Sequence, residues 1–144
     1  MDNLNLIKIL LAIFFGGVLG AERAHAGKAA GMRTYMLTTL AATTFTIIAQ
    51  DALILTSTAY DPSRIISQVI LGIGFIGGGL IFAKKDHVQG ITTAAGLWIS
   101  TAIGIAIGVN LYALATLVTL LSFIILAILP HLEEKINPRQ DKHE

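Results

Sequence analysis

Residues 65–83 read IISQVILGIGFIGGGLIFA, a stretch that is apolar apart from Ser67 and Gln68. It contains five glycines, at Gly72, Gly74, Gly77, Gly78 and Gly79. In water each glycine disfavours a helix by about 1 kcal/mol relative to alanine. In a bilayer the cost of exposed backbone keeps such a segment helical, and glycine lets a neighbouring helix approach very closely. The stretch therefore predicts a membrane helix with a bare backbone face.

The whole chain has the composition of a membrane protein. It is 54% hydrophobic and 13% charged over 144 residues, with a mean hydropathy of +0.74. A bilayer core needs about 20 apolar residues per helix. Five runs with few or no charges meet this need, at residues 4–21, 34–50, 65–83, 91–109 and 111–129. We expect an all-α polytopic bundle of about five transmembrane helices at residues 1–130. Pro130 should end the last helix, and residues 131–144 should form a short charged cytoplasmic tail.

The positive charges indicate the orientation of these spans. Eight of the ten Lys and Arg residues lie between spans one and two, between spans three and four, or after span five. They are Arg23, Lys28, Arg33, Lys84, Lys85, Lys135, Arg139 and Lys142. Because such residues favour the cytoplasmic side, the pattern predicts an external N-terminus and a cytoplasmic C-terminus. The other two, Lys8 and Arg64, fall elsewhere.

Pairs of glycines four residues apart occur in three of the spans. The pairs are Gly16 with Gly20, Gly74 with Gly78, and Gly104 with Gly108. Residues at this spacing share one face of a helix, so each pair predicts close helix packing. We expect a compact bundle of spans one, three and four, with span three and its five glycines at the centre.

Polar residues at the predicted cytoplasmic ends form a candidate cluster. Glu22 pairs with Arg23, Lys28 or Arg33 in one interpretation, and in the other these side chains are snorkelling anchors. Thr92 is a candidate cap for span four, whose free N–H groups are suited to an anion or a carboxylate such as Glu22. On the outer side, Asp51 and Arg64 either close the bundle or belong to a solvated loop. Asp61, Pro62 and Ser63 predict a turn or a helix start.

Signals for catalysis or metal binding are poor. Residues 72–77 fit GxGxxG, but a dinucleotide site needs a strand before the motif and a helix after it, whereas this one lies inside a predicted span. The four histidines lack metal-ligand spacing. The oxygen ligands that Mg²⁺ prefers do not obviously converge at Glu22, Asp51 and Asp61. We expect no enzyme, no cofactor and no nucleic-acid partner, and a Mg²⁺ site has no support from spacing.

Four ordered motifs resemble the membrane domain of the MgtC/SapB family of bacterial inner-membrane proteins. They are Gly20-Ala21-Glu22-Arg23, Ala30-Gly31-Met32-Arg33-Thr34, residues 72–79 and residues 90–98. The resemblance covers about residues 4–129. Members of the virulence branch have a further soluble domain after the last span, whereas this sequence stops at Glu144, so we expect a short form. They also tend to carry Asn at the position of Thr92.

The resemblance implies a multi-pass inner-membrane protein linked to growth in low magnesium, to survival inside host cells and to the F-type ATP synthase. Carried over by motif position, its functional residues are Glu22, Arg23, Gly31, Arg33, Thr34, Gly74, Gly77, Thr92 and Thr93. We favour a non-enzymatic regulator that docks to another membrane protein and forms a homo-oligomer, most simply a dimer, within the lipid. One alternative is a small transporter or channel for magnesium or another cation, with Glu22, Gln68 and Asp51 as the candidate groups. The other is a lipid- or small-molecule-binding protein that uses Arg23, Lys28 and Arg33 on anionic headgroups.

Overall fold

The computed structural model describes residues 3–55, 61–84 and 87–136, and this part of the chain forms a bundle of helices. The helices are α1 (Asn3–His25), α2 (Met32–Leu55), α3 (Pro62–Leu80), α4 (Ile91–Gly108) and α5 (Tyr112–Ile136). Between α3 and α4 a short antiparallel hairpin pairs β1 (Phe82–Lys84) with β2 (His87–Gln89), and Phe82 lies opposite Gln89. The prediction of an all-α bundle is confirmed.

Contacts at several levels of the bundle give the helix directions. They join Gly16 to Thr39, Gly20 to Met32, Gly96 to Tyr35, and Gly108 to Thr46. Helix α1 therefore runs antiparallel to α2, whereas α2 runs parallel to α4. The C-terminus of α1, the start of α2 and the start of α4 consequently lie at one end of the bundle. We call this the charged end, because Arg23, Lys28 and Arg33 belong to it.

Among the described residues, four helices are long and apolar enough to cross a membrane. These segments are Asn3–His25, Ser63–Leu80, Ile91–Gly108 and Tyr112–Leu132. Helix α2 is less apolar because it contains six threonines, although it lies alongside α1 and α4 over the same length. Four of these hydroxyls, on Thr38, Thr39, Thr44 and Thr46, donate to the carbonyl four residues earlier, which satisfies them without water. A span at α2 stays a prediction.

The centre of the bundle is α4, so the expectation that span three is central is wrong. Ten of the 18 residues of α4 are buried, whereas in α3 only Ile73 and Gly77 are buried among residues 63–80. The reason is a row of small residues on α4 at every fourth position, Gly96, Ser100, Gly104 and Gly108. It lets α2 pack directly against the α4 backbone.

Two predicted helix boundaries need correction, and one is confirmed. Helix α4 begins after Gly90, which has a φ of 88° and makes no side-chain cap, so Thr92 lies inside the helix rather than capping it. Helix α5 does not end at Pro130 but continues to Ile136. Asp61 does start α3: its carboxylate accepts from the Ser63 amide at 2.9 Å, with Pro62 at the first helical position. The remaining tail, with Arg139 and Lys142, and Lys85 of the hairpin lie outside the described residues.

Candidate functional site

The charged end contains a buried ion pair between Arg23 and Glu22. Nε and Nη2 of Arg23 donate to the two carboxylate oxygens of Glu22, Nη2 at 2.6 Å from Oε1. The Arg23 side chain is 2% exposed and that of Glu22 is 11% exposed. This is one of the pairings that the sequence left open, and Arg23 does not snorkel to water. A two-pronged pair of this kind fixes both side chains in orientation.

Arg23 also makes a second, long-range contact. Its Nη2 donates to the backbone carbonyl of Leu126 in α5 at 2.8 Å. Within a helix that carbonyl would accept from the amide of residue 130, but Pro130 has no N–H. Arg23 therefore supplies the donor that proline removes, so this carbonyl is not left unpaired where α5 continues past Pro130. The contact ties α1 to α5 at the charged end.

Lys8, near the other end of α1, has an equivalent role that the sequence analysis did not assign. It is 4% exposed, and its Nζ donates to the carbonyl of Gly108 at 2.8 Å. Gly108 ends α4, where carbonyls lack helical partners and the helix dipole favours a cation. A lone lysine in an apolar run was the available signal, because such a charge requires a partner in the membrane.

Tyr35 connects the start of α2 with the start of α4. The side chain is fully buried, and its hydroxyl lies 3.4 Å from the carbonyl oxygen of Thr93. A Cβ at Gly96 would collide with this hydroxyl, so the contact requires glycine at that position. Neither Tyr35 nor Gly96 was predicted as a site residue, and the glycine's spacing from Gly104 was the signal.

The other predicted cytoplasmic residues separate into different places. Lys28, Thr92 and Thr93 line a cavity of about 260 Å³ between the α1–α2 loop, the hairpin and the start of α4. Thr93 is buried and Thr92 exposed, whereas Arg33 is exposed at the start of α2. The structure thus pairs Glu22 with Arg23 and places Lys28 at the cavity. Arg23, Lys28 and Arg33 do not form one exposed basic patch, since Arg23 is buried.

At the opposite end, Asp51 and Arg64 are both exposed. Both side chains belong to the described part of the chain, and no ion pair joins them there, so of the two alternatives from the sequence the solvated one has more support. Asp61 instead accepts from the amide and the hydroxyl of Ser63. These hydrogen bonds, helped by the positive charge of Arg64, lower the pKa of the Asp61 carboxyl.

Eight of the nine predicted packing glycines fall into two groups, and Gly77 lies between them. A Cβ added to a glycine of the first group would collide with α2, and this group contains Gly16, Gly20, Gly104 and Gly108. A Cβ added to one of the second group would meet nothing within 4 Å, and this group contains Gly72, Gly74, Gly78 and Gly79 of α3. Gly77 makes an ordinary contact with Ala94 at 3.5 Å. Among the residues that the structure describes, therefore, no helix lies against the α3 glycines other than Gly77.

A large groove separates α2 from α3. It has a volume of about 880 Å³. We call it the α2–α3 groove; the residues that line it include Leu37, Ala41 and Phe45 of α2 and Arg64, Gln68 and Gly72 of α3. Thr34 also lines it, which separates this threonine from the Glu22–Arg23 pair. The predicted polar cluster is thus divided between the ion pair, the smaller cavity and this groove.

Among residues 3–55, 61–84 and 87–136, no three His, Asp or Glu side chains come together as a metal site would require. The GxGxxG letters lie inside α3 and so lack the strand that a dinucleotide site needs. Together the fold and these contacts define a multi-pass helical membrane protein with an internal ion pair at its charged end.

The comparisons with known proteins identify the family. The MgtC family profile matches residues 9–135, and the chain belongs to that family. It is 37% identical over 127 residues to the protein named "Putative magnesium transporter YhiD" of Escherichia coli K12, covering 85% of this chain and 59% of that protein. It is 36% identical over 118 residues to "Protein MgtC" of Brucella abortus, covering 82% of this chain and 48% of that protein. No solved structure matches.

These matches establish part of what the sequence predicted. The chain is a multi-pass membrane protein of a bacterial family, and the bacterial relatives indicate the inner membrane. Neither the family nor the names of these relatives indicates a catalytic family. The chain spans about half to three fifths of the length of these relatives, at 48% and 59%.

Proposed function

We propose that this chain is a non-enzymatic regulatory protein of the inner membrane, linked to adaptation to low magnesium, that acts by docking to another membrane helix. The observation that carries the proposal is an open face of α3, formed by Gly74, Gly78, Leu71 and Phe75, which we call the α3 glycine face. Added Cβ atoms at both glycines would meet nothing within 4 Å. Leu71 is 70% exposed and Phe75 is 87% exposed.

The contrast with the other glycine pairs supports docking. Gly16 with Gly20 and Gly104 with Gly108 have the same spacing, and both pairs lie against the backbone or side chains of α2. Close approach at such pairs is how membrane helices gain packing and carbonyl contacts without a hydrophobic driving force. Gly74 and Gly78 offer the same surface, and no helix in the described part of the chain covers it. A helix from another molecule fits this face.

In the simplest version of this proposal, the helix that docks belongs to a second copy of this chain. For regulation, it belongs to a target membrane protein. The family resemblance makes the F-type ATP synthase a candidate target. The link to magnesium rests on the relative from Escherichia coli, whose name mentions magnesium transport. Regulation at low magnesium therefore also needs a physiological test, namely growth of a deletion strain in magnesium-limited medium with and without the gene restored.

The docking test is affinity purification from native membranes in a mild detergent. We expect a stoichiometric partner with the wild type, and its loss with Gly78→Leu, because leucine blocks close approach at the glycine face. Gly72→Leu is the matched control, since Gly72 is an equally open position of the same helix that lines the α2–α3 groove instead. Recovery of lipid alone with the wild type, or an undiminished partner with Gly78→Leu, would overturn docking.

Magnesium or other cation transport is the alternative function, suggested by the name of the relative. A transport path needs charged or polar groups that line it. In the described bundle, however, Glu22 is bonded to Arg23, and Lys8 to the Gly108 carbonyl. Selective cation flux into liposomes containing the purified protein, abolished by Glu22→Ala, would replace the regulatory proposal with transport.

Headgroup binding by Arg23, Lys28 and Arg33, the third hypothesis from the sequence, has less support. Arg23 is 2% exposed and already donates to Glu22 and Leu126. Of these three residues, Lys28 and Arg33 remain near the surface of that end, and Lys28 is half-buried.

A further inference from the structure

The α2–α3 groove has an apolar wall even though several threonines line it. Thr38 donates to the carbonyl of Thr34 at 2.8 Å, and Thr101 donates to the carbonyl of Leu97 at 3.0 Å. Because these hydroxyls are used by the helix backbone, a hydrocarbon can fill the groove without leaving them unbonded. The neighbouring lining residues Leu37, Phe45 and Ile76 are aliphatic or aromatic.

The length of the groove matches one leaflet of a bilayer. Along α3 its lining runs from Arg64 to Ile76, which at about 1.5 Å per residue corresponds to about 18 Å. Half of a hydrocarbon core about 30 Å thick is about 15 Å. The groove is therefore suited to a single extended acyl chain, rather than to a whole transmembrane helix.

A cationic side chain stands at one end of this apolar surface. Arg64 lines the groove close to the start of α3, at the end of the bundle opposite Arg23. Asp51 and Asp61 belong to the same end. The Asp61 carboxylate accepts two hydrogen bonds from Ser63, and in the described part of the chain no ion pair joins either carboxylate to the Arg64 guanidinium. A guanidinium is well suited to bind a phosphate with two parallel hydrogen bonds. Gln68, one turn further along, adds an amide to the same mouth.

We propose that the α2–α3 groove binds one anionic phospholipid, with an acyl chain between α2 and α3 and its phosphate at Arg64. Arg64 lies at the end opposite the charged one, so the phosphate belongs at the outer surface, and the acyl chain runs from there toward Thr34, which lines the groove near the charged end. This site is separate from the α3 glycine face, since Gly72 lines the groove whereas Gly74 and Gly78 do not. The bound lipid fills the space that α2 and α3 leave between them.

Native mass spectrometry of the purified protein tests the proposal with two probes, phosphatidylglycerol and phosphatidylcholine. We expect one phosphatidylglycerol to remain bound, in preference to phosphatidylcholine. Arg64→Gln should lower that preference about fivefold, since an arginine near a membrane surface contributes about that factor. Arg33 is exposed and lies outside the groove, so Arg33→Gln should leave the preference for phosphatidylglycerol unchanged. Gly72→Leu should abolish retention of either lipid, whereas Gly78→Leu should not.

A second measurement uses the absence of cysteine from the chain. A fluorophore on Ala41→Cys would report from the groove wall, and brominated phosphatidylglycerol should quench it more strongly than brominated phosphatidylcholine. Equal quenching by the two lipids, or undiminished lipid retention in Gly72→Leu, would overturn the proposal. Disulfide cross-linking of two Ala41→Cys chains would also overturn it, because the groove would then be an interface between copies.

Discussion

Arg23 of α1 hydrogen-bonds to the carbonyl of Leu126 in α5, across 103 positions of sequence, at a distance of 2.8 Å. The partner is specific in a chemical sense, because Pro130 removes the amide that would otherwise bond to this carbonyl. The same guanidinium holds Glu22. The buried Arg23 side chain therefore neutralises the Glu22 carboxylate and also donates a hydrogen bond to the carbonyl that Pro130 leaves without a helical partner.

The first prediction is that Arg23→Gln destabilises the protein by about 3 kcal/mol, because it leaves a buried carboxylate and a buried carbonyl without a charged donor. The loss should be smaller in a Pro130→Ala background, since alanine restores an amide for Leu126. Thermal unfolding of the four proteins in detergent measures this double-mutant cycle. Arg33→Gln is the matched control and should change stability little. Equal losses with proline and with alanine at position 130 would contradict the proposed role of Arg23.

The hydrogen bond between Arg23 and Leu126 could not be predicted from the sequence, whereas the helical bundle could. The pattern of apolar runs predicted the bundle, because the bilayer imposes helix length on any sequence. The pairing of Arg23 with Leu126 could not be read in advance, since it depends on how α1 and α5 meet. For the same reason Pro130 was expected to end the helix. A missing amide is a local property, whereas its replacement by a distant arginine is a tertiary one.

Glycine spacing predicted close-packing faces but not which of them the chain itself would fill. Gly104 and Gly78 belong to pairs with identical spacing, yet Gly104 lies against Thr39 and Ala42, whereas a Cβ added at Gly78 would meet nothing within 4 Å. The spacing describes a surface and does not identify its partner. Tyr35 was not predicted for a related reason. A tyrosine in an apolar span indicates no particular contact, and the role of Tyr35 depends on Gly96 of another helix lying beside it.

The second prediction compares these two glycines directly. Gly104→Ala should destabilise the bundle by about 1–3 kcal/mol, because its methyl group would overlap the backbone carbonyl of Thr39 and force α2 away from α4. Gly78→Ala should be neutral or stabilising by up to about 1 kcal/mol in the isolated chain, since alanine favours helix. Thermal unfolding in detergent checks both. A loss of stability with Gly78→Ala would show that α3 packs differently.

The third prediction concerns Lys8 and the end of α4. Lys8→Met should destabilise the bundle by about 1–2 kcal/mol, because the Gly108 carbonyl loses a charged donor at the negative end of the helix dipole. Hydrogen exchange should become faster at the amides near Gly108. Lys135→Met, which changes an exposed lysine, is the control and should leave these rates unchanged. Unaltered exchange in Lys8→Met would mean that this bond does not stabilise α4.

The fourth prediction is a pH dependence at the start of α3. Hydrogen bonds from Ser63 lower the pKa of Asp61, so the folded state favours the ionised carboxylate. The resulting stabilisation is present above the ordinary pKa of an aspartate and is lost as the pH falls through the lowered value. Protection of the first-turn amides, compared at several pH values after correction for intrinsic exchange, should decline in that range. Asp61→Asn, which keeps a capping side chain without the charge, should not show this decline.

The fifth prediction is that α2 crosses the membrane although its threonines make it the least apolar helix. Its direction, antiparallel to α1 and parallel to α4, requires its two ends to lie on opposite sides when both neighbours span. The chain has no cysteine of its own, so single cysteines can report on which side each end of α2 lies. Ala29, just before α2, and Asp51, near its C-terminal end, are both exposed and suit this test. In intact spheroplasts an impermeant maleimide should label Asp51→Cys at once and Ala29→Cys only after permeabilisation. Labelling of both before permeabilisation would place the two ends on the same side, and α2 would then not be a span.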